Sequence, residues 1–172
     1  MDFFEVVNER HSMRAFADRP VETEKVQKIL ETANRAPSAG DLQGYEIYLV
    51  TRPEHRSALV RAAFVQDFIA EAPVVLIFCA NPARSAVRYK QRGIQLYSVQ
   101  DATIACTFAM LAATALGLST VWVGAFDGEA VREAVGIPQD LTPVAMLPIG
   151  YAGKKPRITP RRELSDLVHE VL

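Results

Sequence analysis

The fold is decided by residues 97–126, which read YSVQDATIACTFAMLAATALGLSTVWVGAF. Residues 102–126 carry no charge, and a run of that length is sufficient for one membrane-spanning helix. However, Gly117 interrupts the run, and the residues after it are β-branched and aromatic. A buried helix over 97–115 followed by a buried strand over 119–125 explains this change better than a membrane helix does.

Further helical and strand patterns surround this stretch. The predicted helices cover residues 2–9, 22–34, 54–63, 84–95 and 128–135, and the predicted strands cover residues 45–50, 73–80 and 143–150. Interleaved helices and strands predict a mixed sheet flanked by helices. Because the sequence contains neither a repeat nor a linker, we expect one domain over residues 1–172, with residues 152–172 as a basic tail.

The predicted helix at 97–115 has almost no polar face, so it has to be covered on all sides. The same helix of a second subunit would supply that cover, because twofold assembly is the commonest kind of oligomer. The alternative is a central helix wrapped by its own sheet. The dimer is the favoured interpretation, and a charge at Ala109 or Ala113 is then expected to disrupt assembly.

The composition is that of a soluble globular protein, with 49% hydrophobic and 23% charged residues. A formal net charge of -1 indicates neither a nucleic-acid partner nor an anionic membrane surface. The acidic, amphipathic N-terminal decapeptide does not resemble a secretory signal. Cys79 and Cys106 lack neighbouring cysteine or histidine, so we interpret them as buried thiols in a reducing compartment, with a disulfide between them left open.

The first candidate binding motif is Arg10-His11-Ser12-Met13-Arg14. Alternate residues of an extended segment point the same way, so Arg10, Ser12 and Arg14 are able to converge on one ligand. Guanidinium groups are well matched to phosphate, because their planar donors bind two oxygens at once. A solvated basic cluster after a short helix is the simpler explanation of this motif taken alone.

Three further motifs follow along the chain. They are the small-residue loop at 36–43 (APSAGDLQ), the segment at 117–126 (GLSTVWVGAF), and PIGY at 148–151 leading into a basic tail. Each has a purely structural alternative: an ordinary turn, a core strand and a solvated end. The sequence contains no P-loop, no Gly-x-Gly-x-x-Gly, no nucleophile elbow and no metal-ligand spacing. That set of absences favours chemistry carried by an organic cofactor.

Taken together and in this order, the four motifs resemble the nitroreductase family of flavoproteins over essentially the whole chain. Residues 10–14 are similar to the family's Arg-x-Ser-x-Arg segment, which binds the FMN phosphate, ribityl chain and pyrimidine edge. The 36–43 loop resembles one that reaches the flavin from the other subunit. Residues 117–126 resemble the strand that passes the isoalloxazine, and the tail at 160–162 is expected near the phosphate.

The resemblance implies a set of cofactor-binding residues spread along the chain. They are Arg10, His11, Ser12, Arg14, Pro37, Ser38, Ala39, Asp41, Gln43, Gln66, Trp122, Val123, Gly124, Ala125, Ile149, Gly150, Arg161 and Arg162. Within this set, Arg14 is the candidate for stabilising the charge that develops at flavin N1 and O2. No metal is expected, and no general base is assigned.

Three positions depart from the family's pattern. Asp41 stands where the family usually has Asn, so a potential donor becomes an acceptor-only carboxylate when ionised. Gly44 stands where Pro is common, and Ser119 replaces a frequent Gly. The chain is also short, so the helical insertion that shapes the substrate channel in longer relatives is expected to be reduced.

The resemblance also implies a fold and an activity. The fold is α+β, with a mixed, largely antiparallel sheet flanked by helices and a long buried central helix at a dimer interface. The activity is FMN-dependent transfer of electrons from NADH or NADPH to a nitroaromatic, quinone or similar acceptor, in a cytoplasmic homodimer that shares its FMN sites. The alternatives are a flavin-binding protein with a specialised reaction or no turnover, and a non-enzymatic dimer whose basic tail binds an anion.

Overall fold

The computed structural model describes residues 1–171, and Leu172, the end of the predicted tail, lies outside the described residues. The α-helices are α1 (Phe3–Glu9), α2 (Thr23–Ala33), α3 (Pro53–Ala62), α4 (Phe68–Glu71), α5 (Pro82–Arg92), α6 (Ser98–Ala115) and α7 (Gly128–Val135). The strands are β1 (Tyr45–Val50), β2 (Val74–Ala80), β3 (Ser119–Thr120) and β4 (Thr142–Gly150). Shorter turns are 3-10 at Ala39–Asp41 and Leu164–Asp166 and π-helical at Gly93–Tyr97.

The four strands form one sheet in the order β1-β2-β4-β3, and all three strand pairs are antiparallel. Within residues 1–171, parallel pairing is limited to an isolated bridge between Ser12 and Thr120. The expectation of a largely antiparallel sheet is therefore confirmed.

Helices cover both faces of this sheet. Every residue of β2 is buried, and its side chains alternate between two hydrophobic cores, as a pleated strand requires. Val75, Ile77 and Cys79 belong to the core that contains α3, α4 and α7. Leu76 and Phe78 belong to the core that contains α2 and α6. The predicted α+β class is confirmed.

The predicted strand at 119–125 is wrong in its length, because the ladder ends at Thr120. The register nevertheless continues, since Val123 and Met146 exchange both backbone hydrogen bonds, at 2.9 and 3.0 Å. In that register the intervening hydrogen-bonded pair would be Val121 with Pro148, and proline has no N–H to donate. Pro148 thus interrupts the ladder while leaving the two segments side by side.

The inner face of α6 packs against the sheet and α2. Ala102, Ala105, Ala109 and Ala113 are fully buried within their own chain. The sequence-based assignment of Ala109 and Ala113 to a dimer interface is therefore wrong. A charge at either position would enter the chain's own core and destabilise folding directly.

The outer face of α6 is apolar but only partly covered. Thr103, Ile104, Thr107, Phe108 and Leu111 are all half-exposed, in two successive helical turns and the start of a third. From the sequence we expect this helix to be buried on all sides. Within residues 1–171, the chain covers it on one side.

The helical stretch Pro82–Ala115, which contains α6, is long and apolar enough to cross a membrane by length and composition. The buried core helix of a soluble protein has the same properties, and α6 packs as such a helix on the sheet. The arrangement agrees with a soluble protein.

Two other apolar surfaces lie uncovered. On α1, the side chains of Phe3, Phe4 and Val7 are exposed, while Val6 alone is buried. Residues 152–171 are exposed along their whole length, including the apolar Leu164 and Val168. The tail thus makes little contact with the body of its own chain.

Candidate functional site

The N-terminal arginine segment, residues 10–14, starts where α1 ends. Asp2 and Glu5 form a reciprocal capping box that begins α1, and Arg10 takes an extended conformation that ends it. Beyond Arg10 the chain runs beside β3, where the Met13 N–H donates to the Thr120 carbonyl at 2.9 Å. Met13 therefore points into the core, whereas Ser12 and Arg14 are exposed on the other side.

Two like charges approach each other at this segment. Burial of Arg10, together with repulsion by Arg161 of the tail, lowers the pKa of the Arg10 guanidinium. Neither arginine forms an ion pair with a carboxylate in the described part of the chain. Guanidinium groups without carboxylate partners are suited to binding an anion. Arg162 lies nearby in sequence, and its guanidinium donates to the Asp166 carbonyl.

His11 follows Arg10 and is half-buried, with its Nδ1 2.9 Å from the Glu9 carbonyl oxygen. This contact ties the ring to the end of α1 and leaves the other ring nitrogen for a further partner.

The loop at 37–44 is held by a carboxylate that the sequence analysis missed. Asp101, in the first turn of α6, is 2% exposed. Its Oδ1 accepts a hydrogen bond from the Ala39 N–H at 2.9 Å, and its Oδ2 accepts one from the Gly44 N–H at 3.2 Å. A buried carboxylate needs such partners. The sequence could have indicated this residue, because Asp101 is the last charge before the uncharged run at 102–126.

The same loop has an unusual backbone. Gly40, Asp41 and Gln43 all have positive φ, at 59°, 57° and 45°. Ser38 Oγ accepts from the Gln43 N–H at 2.9 Å, and the Gln43 amide donates to the Asp41 carboxylate. The Asp41 side chain, which replaces the family's usual Asn, is therefore engaged within the loop.

The structure explains why Gly replaces Pro at position 44. A Cβ on Gly44 would lie 2.2 Å from Ser85 Oγ and 2.9 Å from Asp101 Oδ2. A proline would also lack the N–H that donates to Asp101. Ser85 and Asp101 together thus require glycine at this position.

A second loop lies beside residues 122–125. Gln66 Nε2 donates to the Ala63 carbonyl at 2.9 Å and to the Ala125 carbonyl at 3.0 Å, which joins the two segments. Phe64 and Val65, not singled out from the sequence, have positive φ and exposed side chains. A β-branched residue in this conformation is strained.

The 122–125 segment is exposed only in its second half. Trp122 is half-buried against the α6 core and Val123 is buried, whereas Gly124 and Ala125 are exposed. Further along the chain, Ile149 and Gly150 are buried in β4. A contact between Ile149 or Gly150 and a ligand would therefore use backbone atoms.

The two main motifs lie near opposite ends of α6. The Arg10 guanidinium is 3.8 Å from the Sδ of Met110, while the loop is held by Asp101. These helix positions are nine residues apart, or roughly 13 Å of helical rise. One chain therefore brings Arg10 near Arg161, and Gln66 near Ala125, but does not close residues 37–43 onto the arginine segment.

The two cysteines take no part in this site. Both are free and buried, which removes the disulfide that the sequence left open. Burial raises the pKa of the Cys79 thiol to about 12 and also raises that of Cys106, so neither is a thiolate at neutral pH.

Comparison with known proteins gives a consistent likeness. The model of the nitroreductase family matches residues 7–66 and 60–151. An FMN reductase [NAD(P)H] of Bacillus subtilis is 31% identical over 169 residues, covering 88% of this chain and 68% of that protein. An oxygen-insensitive NADPH nitroreductase of Salmonella typhimurium is 30% identical over 166 residues, covering 92% and 69%. The solved structure of a Clostridium difficile protein described as nitroreductase family superposes with a TM-score of 0.88 at 34% identity, and each chain is covered completely.

The packing around Gly44 predicts a double-mutant result. Gly44→Ala should lower the free energy of unfolding by about 2 kcal/mol, because its Cβ overpacks against Ser85 Oγ. Ser85→Ala alone should be near neutral, since its buried hydroxyl has no hydrogen-bond partner in the described residues. The double variant should recover part of the loss, as measured by urea unfolding. Equal stability of Gly44→Ala and the parent would contradict the packing.

Proposed function

Because the chain belongs to the nitroreductase family, we propose that it acts as a homodimer that holds FMN between its subunits and reduces a nitroaromatic, quinone or similar small molecule. It is an FMN-dependent NAD(P)H oxidoreductase. The observation that carries the proposed site is that Arg10 is half-buried, with its guanidinium 3.8 Å from the Sδ of Met110, yet has no carboxylate ion-pair partner in the described residues. FMN, when bound, accepts two electrons from the nicotinamide and delivers them to the acceptor.

The arginine pair fits the FMN phosphate. A dianionic phosphate between Arg10 and Arg161 would replace their mutual repulsion by two charge-assisted interactions. Ser12 is exposed on the same segment and supplies a hydroxyl, and Arg162 is the alternative tail cation. Arg14, exposed beyond Ser12, is the proposed stabiliser of negative charge at flavin N1 and O2.

The remaining proposed contacts come from His11 of the arginine segment and from three other regions. One is the Asp101-held loop, one is the pair of segments joined by Gln66, and one is the β4 end. The residues are His11, Pro37, Ser38, Ala39, Asp41, Gln43, Gln66, Trp122, Val123, Gly124, Ala125, Ile149 and Gly150. The backbone of residues 122–125 and of 149–150 would face the flavin edge, and the loop side chains would complete the site.

The proposed dimer follows from uncovered surfaces. The outer face of α6 and the exposed Phe3, Phe4 and Val7 of α1 together present apolar area that water would otherwise cover. Antiparallel packing of α6 on its twofold mate would bring the loop near position 101 of one chain towards position 110 of the other. That arrangement closes the gap of roughly 13 Å between the loop and the arginine segment.

The tail completes this proposal. We take residues 1–172 as one domain whose segment 152–172 wraps onto the partner, because the apolar side chains between residues 152 and 171 lie exposed on their own chain. The tail would then carry Arg161 and Arg162 to the subunit boundary. The compartment proposed is the cytoplasm, in keeping with two free, reduced cysteines.

The activity predicts a yellow protein that releases FMN on denaturation. NADH or NADPH should bleach the visible absorbance, and a quinone or nitroaromatic should restore it. Donor and acceptor that use one site in turn should give parallel double-reciprocal lines in steady-state kinetics. Bound flavin without any bleaching by either nicotinamide would instead favour the alternative of a flavin protein with no turnover of this kind.

The phosphate site predicts a specific loss of cofactor affinity. Arg10→Ala should weaken FMN about ten- to hundredfold, because a hydrogen bond to a charged group contributes roughly 1.5–3 kcal/mol. Fluorescence titration of the apoprotein with FMN measures this change, and the affinity should also fall with added salt. Arg52→Ala is the control, since Arg52 is exposed and paired with Glu54 outside the site. If Arg10→Ala bound FMN with the parental affinity, Arg10 would not contact the FMN phosphate.

The interface predicts different outcomes for two positions on α6. Leu111→Glu, on the half-exposed outer face, should dissociate the dimer and lower the FMN content, because it would bury a charge between subunits. Ala109→Glu, on the fully buried inner face, should prevent folding. Val87→Glu is the control for adding a charge at an exposed apolar position outside the interface. Light scattering with flavin absorbance measures both properties, and a full FMN-loaded dimer in Leu111→Glu would exclude this face.

A further inference from the structure

A group of exposed cations lies along α5. This basic patch consists of Arg84, Arg88, Lys90 and Arg92, all exposed, and α5 contains no acidic residue. None of the four forms an ion pair in the described part of the chain. The patch is therefore a concentrated positive surface that the fold itself does not neutralise.

The carboxylates that border the patch are already engaged. Asp41 accepts a hydrogen bond from the Gln43 amide, and Glu46 accepts one from the Asn81 amide at 2.9 Å. Neither carboxylate forms an ion pair with a cation of α5 in the described residues.

Two tyrosines lie within the patch. The Tyr89 and Tyr97 rings contact edge to face, with centroids 4.9 Å apart. The Arg88 guanidinium lies 5.5 Å from the Tyr89 ring centroid, and Arg92 lies 5.3 Å from that of Tyr97 and donates to its hydroxyl at 2.8 Å. Between the two tyrosines, α5 is kinked at Lys90 (φ 48°, ψ -131°) and a π-helical turn follows at Gly93–Tyr97.

The patch is attached to the loop of the proposed flavin site. Arg84 Nε donates to the Leu42 carbonyl. A Cβ on Gly40 would lie 2.7 Å from the Tyr89 hydroxyl and 3.0 Å from Arg88 Nη1, so these side chains pack directly on the loop. Tyr97 also lines a cavity of about 480 Å³ together with Pro37, Ser38 and Ala39. Wherever the loop contacts the flavin, the patch lies beside it.

We propose that Arg88, Arg92 and the Tyr89–Tyr97 pair bind the adenosine and phosphate portion of NAD(P)H. The inference rests on the proposed function, which places the nicotinamide end at the flavin. Guanidinium groups bind phosphate oxygens in pairs, and a tyrosine ring offers a face for stacking of the adenine. An acidic protein would use the cations but would leave the paired aromatic rings without a role.

The test uses the FMN-loaded protein and ADP-ribose, which carries the adenosine and both phosphates but no nicotinamide. Calorimetry should show ADP-ribose binding that weakens with salt. An exposed ion pair contributes up to about 1 kcal/mol, or about fivefold in affinity. Arg88→Glu adds repulsion to this loss, so it should weaken ADP-ribose about tenfold. Lys28→Glu, at an exposed cation of α2, makes the same change in net charge and should leave the affinity at the parental value.

A kinetic comparison separates phosphate recognition from damage to the loop. The truncated donor 1-benzyl-1,4-dihydronicotinamide has no phosphate and no adenosine. The ratio of the KM for NADPH or NADH to the KM for this donor should rise about tenfold in Arg88→Glu and stay parental in Lys28→Glu. A change in the ratio for NADPH alone would place the 2′-phosphate at Arg88, and a change for both donors would place the pyrophosphate there.

Two results would overturn the inference. One is equal ADP-ribose affinity in Arg88→Glu and Lys28→Glu together with parental KM ratios for both NADH and NADPH in Arg88→Glu, which is also the outcome if the patch docks an acidic protein. The other is a parallel rise in KM for the dinucleotide and the truncated donor. Failure of the proposed function is a separate outcome, namely parental protein that oxidises neither dinucleotide nor truncated donor.

Discussion

The burial of α6 is the constraint around which the molecule is arranged. Its inner alanines let the helix approach one face of the sheet closely, and α3, α4 and α7 cover the other face, so that every residue of β2 is buried. Its outer face remains half-exposed in one chain. Because α6 has no polar side, packing against a single layer leaves its outer apolar face in contact with water. A second subunit would cover that face.

Asp101 shows how this helix also organises the site. A carboxylate in so apolar a helix has to be hydrogen-bonded, and the N–H groups of Ala39 and Gly44 provide its partners. The hydrogen bonds that stabilise the buried Asp101 carboxylate therefore also fix the loop to α6. Gly44 follows from this arrangement, because Ser85 Oγ and Asp101 Oδ2 occupy the space that a Cβ would take.

Unneutralised cations mark the functional surfaces of the chain. Arg10 and Arg161 repel each other at the N-terminal segment, and four further cations lie on α5 without ion pairs in the described residues. Like charges held together destabilise the folded state until an anion binds, so ligand binding and stability are linked. In the proposed dimer, the first cluster would receive the FMN phosphate and the second the phosphates of the electron donor.

The sequence by itself determined the elements and the order of the motifs. The strand at 45–50 and the helix at 128–135 match the structure to the residue, because period-2 and period-3.6 patterns and their bounding prolines and glycines are local signals. The order of four weak motifs was also a property of the chain alone, and it identified the family. The end of β3 at Thr120 was not predicted from the sequence, because it depends on which residue of β4 lies opposite Val121.

Only the tertiary structure decided which residues meet. Ala109 and Leu111 look alike in an uncharged run, yet one faces the chain's own core and the other faces outward. In the sequence Asp101 is only the last charge before an uncharged run, and its two backbone partners lie 62 and 57 positions earlier in the chain. Besides burial, the charge of Arg161, 151 positions further along the chain, likewise lowers the pKa of Arg10. Such contacts depend on packing between distant segments, and no local pattern of hydrophobicity encodes them.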